Sequence, residues 1–178
     1  MSRTMARPKT QPTGHESPFS ENEIIVTKTD TKGLITYANE IFLRVSHLHI
    51  DEALGKPHNL IRHPDMPRCI FKLLWERLTG GKEMFAYVLN LASNGDHYWV
   101  FAHVTPSADA RGRIVGYHSM RRKPAAPQVE AARTLYRTLL DEERAAASPT
   151  EGMQRSTDRL MSILRSKGVD YDEFVFAL

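Results

Sequence analysis

The stretch from Gly55 to Gly81, G-K-P-H-N-L-I-R-H-P-D-M-P-R-C-I-F-K-L-L-W-E-R-L-T-G-G, decides how the rest of this chain is interpreted. It places Arg62, His63 and Asp65 within four residues, directly before an amphipathic helix. A cation, an imidazole that titrates near neutral pH and a carboxylate at one loop-to-helix junction favour either a binding site or a structurally pinned loop. On chemistry alone both interpretations stay open.

The helix in this stretch is predicted by apolar residues at helical spacing. They are Ile70, Phe71, Leu74, Trp75 and Leu78. Asp65 is expected to be its N-cap, with Pro67 in the first turn, because short carboxylates accept hydrogen bonds from the free amides at a helix start. Gly80-Gly81 is expected to end it.

Short β-runs flank the helix on both sides. They cover residues 23–29, 34–38, 84–91, 97–105 and 113–120. Turn signals separate the consecutive runs, and Asn39 is expected to start a short helix after the second one. The order of elements predicts an α+β domain with a five-stranded antiparallel sheet, which occupies residues 21–124.

Residues 125–178 are predicted to form a C-terminal helical extension. A first helix carries an apolar stripe that includes Val129, Ala132 and Leu139. The capping box Ser148-Pro149-Thr150-Glu151 starts a second helix, which Gly168 closes. The apolar tail 170–178 is expected to dock on the domain. The extension is interpreted as a signal-output or docking element, or as a cover for a sheet face.

Composition narrows the function classes. The 178 residues carry a net charge of +3 and 41% apolar residues, which is typical of a soluble globular domain. Residues 1–20 are expected to be a disordered leader, and no segment is apolar enough for membrane insertion or a signal peptide. Arg121-Arg122-Lys123 is interpreted as a solvated strand end, so nucleic-acid binding is not expected. One cysteine suits the cytoplasm.

Four segments of the chain resemble the PAS sensory domain of bacterial aerotaxis (energy-taxis) receptors. They are I-T-Y-A-N-E-I-F (35–42), G-K-P-H-N-L-I-R-H-P-D-M-P (55–67), N-G-D-H-Y-W-V (94–100) and G-R-I-V-G-Y-H-S-M-R-R-K-P (112–124). The resemblance implies a PAS fold that holds FAD between sheet and helices and reports its redox state. It also implies a stand-alone soluble form, with a membrane chemoreceptor or another signalling protein as partner. A homodimer is a further interpretation.

The resemblance also implies cofactor-binding residues. Asn39 matches an asparagine beside the pocket, and Arg62, His63 and Asp65 match the motif that flavin binding requires. Further candidates on the helix and the central strands are Trp75, Phe85, Asn90 and Trp99. Two departures concern the third strand. Phe85 stands near a position where the family often has tryptophan, and residues 89–96 lack the family's basic run.

Each candidate also has a structural interpretation. Arg62 and Asp65 could form an ion pair that pins the loop, and tryptophan on an amphipathic helix is more often core than cofactor wall. Cys69 is interpreted as a small buried hydrophobe rather than a photoreactive thiol. No catalytic or metal-ligand motif is present, so a non-enzymatic role is expected. The alternatives are a cofactor-free interaction adaptor and a PAS domain that binds haem or another small ligand.

Overall fold

A computed structural model describes residues 10–178 of the chain. Its centre is an antiparallel sheet with the strand order β2-β1-β5-β4-β3. The strands are β1 (Ile25–Thr29), β2 (Ile35–Ala38), β3 (Met84–Leu91), β4 (His97–Ala108) and β5 (Ile114–Arg122). The predicted α+β fold with a five-stranded antiparallel sheet is confirmed.

Helices lie on both sides of this sheet. Those between β2 and β3 are α1 (Glu40–Val45), α2 (Ile50–Ala53), a 3₁₀ turn (His58–Ile61) and α3 (Arg68–Thr79). Those after β5 are α4 (Ala126–Arg144), α5 (Pro149–Lys167) and α6 (Tyr171–Phe176). Asn39 caps α1 as predicted, since its side chain accepts from the Phe42 amide at 3.0 Å. The Ser148 hydroxyl accepts from the Glu151 amide, and Gly168 ends α5 at a φ of 69°.

The start of α3 differs from the prediction. The helix begins at Arg68 with Pro67 at the N-cap position, so Asp65 is not its cap. Pro67 disfavours the helical conformation at Met66, which excludes Asp65 from the helix. The Asp65 amide instead donates to His63 Nδ1 at 3.0 Å.

Both faces of the sheet are buried against helices. Along β4, Val100 and Ala102 point towards the face that packs with α1, while Trp99 points to the opposite face. We call these the inner and the outer face. Because successive side chains along a strand point to opposite faces, the residues of β3 and β5 also alternate between the inner and the outer face.

The C-terminal extension covers the outer face. The Tyr136 hydroxyl on α4 donates to the backbone oxygen of Tyr87, and the Tyr136 ring stacks on Trp99 with centroids 6.0 Å apart. Phe174 and Val175 of α6 are buried in the same cluster. The apolar tail therefore docks on the domain.

Part of the predicted leader, residues 1–20, packs against the fold. Residues 1–9 lie outside the described part of the chain. Beyond them, the Thr13 and Ser17 amides donate to the backbone oxygens of Gly95 and His97, each at 2.8 Å, and Phe19 is buried. Disorder is therefore not found for residues 13–19, because backbone pairing and an aromatic anchor fix them.

Candidate ligand cavity

A cavity of about 220 Å³ lies between the inner sheet face and α3. The 3₁₀ turn closes one end. Hydrophobic walls come from α3 and the central strands, namely Phe71, Leu74, Trp75, Leu78, Val88, Ala102 and Val104. Polar groups come from β1, β3, β5 and the turn, namely Thr27, His58, Asn59, Arg62, Asn90, Ser119 and Arg121. An apolar slot with a few convergent polar groups is typical of small-ligand sites.

Arg121 is the buried cation of this cavity. It lies at an inward position of β5 and is 4% exposed. Its Nη2 donates to Thr27 Oγ1 at 2.7 Å and to His58 Nε2 at 2.6 Å, whereas Nη1 has no hydrogen-bond partner among the described residues. Burial lowers the pKa of Arg121 to about 10, so the side chain still carries a charge at neutral pH. No carboxylate of residues 10–178 forms an ion pair with it.

His58 is a neutral neighbour of that cation. Burial, and then the charge of Arg121, lower the pKa of His58 to about 3. Its Nε2 accepts from Arg121, so the ring proton is assigned to Nδ1. The pair therefore presents one positive charge to the cavity and not two.

Two further cavity groups lack partners. Asn90 Nδ2 and Ser119 Oγ are buried and make no hydrogen bond within residues 10–178. Together with Arg121 Nη1 they supply three donors that face one small space. A buried polar group without a partner costs about 1–3 kcal/mol, so the arrangement favours a ligand rich in acceptors, and in particular an anionic one.

Arg62 and Trp75 also line this cavity, as does Asn90. The Arg62 guanidinium lies 4.4 Å from the centre of the Phe71 ring and donates to the Met66 oxygen at 3.3 Å. The alternative Arg62–Asp65 ion pair does not form. Trp75 meets Tyr117 edge-on at 5.4 Å and is 40% exposed, so it marks the side where the cavity reaches solvent.

His63 and Asp65 lie outside the cavity. His63 is buried, and burial lowers its pKa despite the opposing charge of Asp65. Asp65 is exposed and pairs with Arg144 of α4 at 2.8 Å. The motif thus divides, with Arg62 at the cavity and Asp65 at the extension.

The other three sequence candidates also lie away from the cavity. The Asn39 side chain forms hydrogen bonds with backbone groups of Ile24, Val26 and Phe42. Phe85 stacks on His103 at 4.2 Å on the outer face, where Trp99 contacts Tyr136. These aromatic residues therefore hold the extension on the sheet.

Sequence reasoning missed Arg121. Its interpretation as a solvated strand end is wrong, because β5 continues to Arg122 and Arg121 faces inwards. The spacing of Tyr117, Ser119 and Arg121 contained a signal, because residues two apart on a strand share one face. A large aromatic residue on that face indicates that the face, and Arg121 with it, is buried. No pattern in the sequence around His58 predicted that it would lie beside Arg121 in the cavity.

Cys69 is buried on α3 and does not line the cavity. Burial raises the pKa of its thiol to about 11, so the reactive thiolate is suppressed at neutral pH. Over residues 10–178, no group of histidine, cysteine and acidic residues is arranged to hold a metal ion. Within the same span, no helix is long and apolar enough to cross a bilayer.

Known proteins share this architecture. The model of the PAS fold family matches residues 35–121. The chain is 37% identical over 127 residues to the aerotaxis receptor of Escherichia coli (strain K12), which covers 71% of this chain and 25% of the receptor. It is 27% identical over 99 residues to the nitrogen fixation regulatory protein of Klebsiella pneumoniae, covering 56% of this chain and 20% of that protein. The chain thus spans a quarter or less of either relative.

A solved structure supports the fold independently. The dark structure of the blue-light photoreceptor Aureochrome1 LOV superposes with a TM-score of 0.56 at 23% identity, over 64% of this chain and 85% of that chain. At this identity the likeness establishes the shared fold.

Proposed function

The chain contains a PAS sensory domain related to that of the aerotaxis receptors, and from this premise we propose that it binds FAD and reports the redox state of the flavin to a signalling partner. A cytoplasmic sensor working with a membrane chemoreceptor, rather than an enzyme, is the role that the family resemblance implies. The observation that carries the proposal is the set of unpaired donors at Asn90, Ser119 and Arg121 in one cavity.

The donor set fits the ring system of a flavin. An isoalloxazine presents two carbonyl oxygens and ring nitrogens as acceptors along one edge, while its benzenoid end is apolar. Asn90 and Ser119 would donate to that edge, and Arg121 would stabilise negative charge there. The apolar end would contact Phe71, Leu74 or Val88 of the opposite wall.

The remainder of FAD has a candidate contact at the edge of the cavity. Arg62 is half-buried there, close to the exposed residues Asn59 and Trp75. Its guanidinium is held by Phe71 and one backbone oxygen, so it remains able to bind a phosphate bidentately.

A bound flavin would supply a change in charge and in hydrogen-bonding pattern between its oxidised and reduced states. The responding groups are side chains of this chain. The Asn90 amide can rotate, because no hydrogen bond to residues 10–178 fixes its Nδ2. Arg121 can shift between His58 and the ligand edge. Coupling of about 1–3 kcal/mol between such changes and a partner site suffices for signalling.

The test compares two neighbouring arginines in the full chain. Arg121→Met should reduce FAD affinity about tenfold or more, because a charged hydrogen bond contributes about 1.5–3 kcal/mol. Arg122→Met is the matched control, since Arg122 is exposed, and should leave affinity unchanged. Flavin absorption after reconstitution and fluorescence titration measure both.

Stability separates a functional from a structural role of Arg121. A buried charge without a counter-ion destabilises the ligand-free fold, so Arg121→Met should keep or raise its free energy of unfolding. Equal FAD affinity in the wild type and Arg121→Met would refute the assigned contact. A purified chain that takes up no flavin even from excess FAD would refute the cofactor.

A cofactor-free adaptor is the second candidate. The observation that favours it is the cavity volume of about 220 Å³, which is below the roughly 300–1,000 Å³ of typical ligand pockets. Under this alternative the purified chain is colourless and binds its partner equally well with and without added FAD.

A further inference from the structure

Glu143, near the C-terminal end of α4, reaches the first turn of α3. Its Oε1 accepts from the backbone amides of Arg68 at 2.6 Å and Cys69 at 3.3 Å, and from the Ser156 hydroxyl of α5 at 2.9 Å. The N-cap residue of α3 is Pro67, which offers no side-chain acceptor. A carboxylate from the extension therefore satisfies helix-start amides that the local sequence leaves free.

The next residue makes a second contact with the same loop. Arg144 Nη2 donates to Asp65 Oδ1 at 2.8 Å. Glu143 also acts electrostatically on Arg62, because its charge opposes the lowering of the Arg62 pKa by burial. Two consecutive residues of α4 thus hold the segment from Asp65 to Cys69 at both ends. We call this pair of contacts the α4 clasp.

Helix α3 takes part in the clasp at its first turn and borders the cavity further along. Phe71, Leu74 and Trp75 form one wall of the cavity. On its other side, Ile70 is buried in the cluster that contains Leu160 of α5. A displacement of α3 away from the sheet would therefore press on the extension.

A large ligand enclosed in this cavity is expected to displace α3 in this way. A volume of about 220 Å³ is below the range of pockets that enclose ligands the size of three fused rings. The opposite wall is the hydrogen-bonded sheet, which is itself backed by α4, so α3 is the wall that can yield. Packed interiors transmit such strain rather than absorb it.

We propose that Glu143 is a positioning residue of the ligand cavity, which ties α3 to α4 and α5 so that filling the cavity loosens the C-terminal helices. This inference rests on the proposed function for the identity of the ligand, whereas the mechanical link applies to any occupant of the cavity.

Site-resolved amide hydrogen exchange on the full chain, with and without FAD, tests the link. In the wild type, FAD should speed exchange several-fold in α5 and α6 (residues 149–176). In Glu143→Ala that ligand-dependent difference should largely disappear. Glu143→Gln keeps an acceptor oxygen at the same place, so it should restore most of the difference. Where the absorption spectrum shows that FAD is bound, no FAD effect on α5 and α6 in the wild type, or an equal effect in Glu143→Ala, would overturn the inference.

A second arm needs no cofactor. Ala102 is buried on the inner face and lines the cavity, so Ala102→Leu places extra volume against α3. It should speed exchange in α5 and α6 as FAD does, and Glu143→Ala should suppress the effect. If Ala102→Leu does not fold, Val88→Ile is used instead, because it adds less volume to the cavity.

The two arms distinguish the failures. A chain that takes up no FAD, seen from its absorption spectrum, refutes the flavin proposal, while the filled variant still decides the role of Glu143. If Ala102→Leu (or Val88→Ile) folds and exchange in α5 and α6 is unchanged, the proposed role of Glu143 is wrong, whether or not flavin binds.

Discussion

The chemistry of the cavity centres on one buried guanidinium. Arg121 is held by two neutral groups, Thr27 and His58, and no carboxylate of the described chain balances it. Burying a charge without a counter-ion is costly, and this cost is the physical reason for the ligand contact that we propose for Arg121. The absence of an internal counter-ion explains why the cavity favours an electron-rich or anionic ligand.

His58 should make the stability of the ligand-free protein depend on pH. Its pKa is lowered from an ordinary value of 6.5 to about 3, so below pH 6.5 the unfolded chain binds a proton that the folded chain does not. The free energy of unfolding should therefore fall as pH falls from 6.5 towards 3. Between about pH 7.5 and about pH 5 the loss should be about 2 kcal/mol.

Urea unfolding at both pH values measures this effect. His58→Gln retains an acceptor for Arg121 but does not titrate, so its stability should fall by about 2 kcal/mol less than that of the wild type. His15→Asn, at an exposed position, is the control and should behave as the wild type does. A wild-type pH slope retained in His58→Gln would contradict the lowered pKa.

At the scale of elements, α4 and α5 approach each other closely near the clasp. Gly152 lies in the first turns of α5, and a Cβ there would lie 2.7 Å from the backbone oxygen of Glu143. The contact is with backbone, which cannot move aside as a flexible side chain would. Glycine at this position therefore sets the distance between the two helices.

Gly152→Ala should be destabilising, although alanine is the better helix former by about 1 kcal/mol. The steric cost, about 1–3 kcal/mol for overpacking, should exceed that gain. Ser162→Ala, on the exposed side of α5, is the matched control and should be neutral or slightly stabilising. Thermal unfolding of both variants measures these changes in stability. A Gly152→Ala variant more stable than the wild type would mean that α4 and α5 can move apart without an energetic cost.

The sequence allowed the elements to be predicted but not the use of each sheet face. Alternation and turn signals located the strands, and Asn39, Gly80 and Gly168 ended or began helices where expected. The run from Phe85 to Leu89 is apolar on both faces, because the extension covers one and the cavity helices the other. No pattern within a strand says which face holds a ligand, so the expectation that Phe85 and Trp99 contact a cofactor comes from the family resemblance alone, and both lie on the outer face.

Long-range capping was also beyond local sequence reasoning. Asp65 had the right residue type and distance for the N-cap of α3, yet the helix takes its acceptor from Glu143, about 75 residues later. Contacts of this kind depend on how two amphipathic helices pack together. The periodicity of apolar residues predicts which face of a helix is buried, but not which element it packs against.

At the scale of the whole molecule, the extension and the PAS domain share one hydrophobic core. The cluster that includes Trp99 and Tyr87 of the sheet also contains Leu139, Leu160 and Phe174 of the extension. Elements that share a core unfold together, so the extension should behave as part of the domain and not as an independent module.

Phe174 and Phe176 of α6 provide the comparison that tests this. Phe174 is 7% exposed and Phe176 is 58% exposed. Phe174→Ala should lower the free energy of unfolding by about 3–5 kcal/mol, because it leaves a cavity beneath the sheet-covering helices, whereas Phe176→Ala should cost clearly less. In both variants, tryptophan fluorescence and far-ultraviolet circular dichroism should report one coincident transition. Two separate transitions, with Phe174→Ala shifting only the first, would show that the extension unfolds by itself and that α6 is a detachable cover of the outer sheet face.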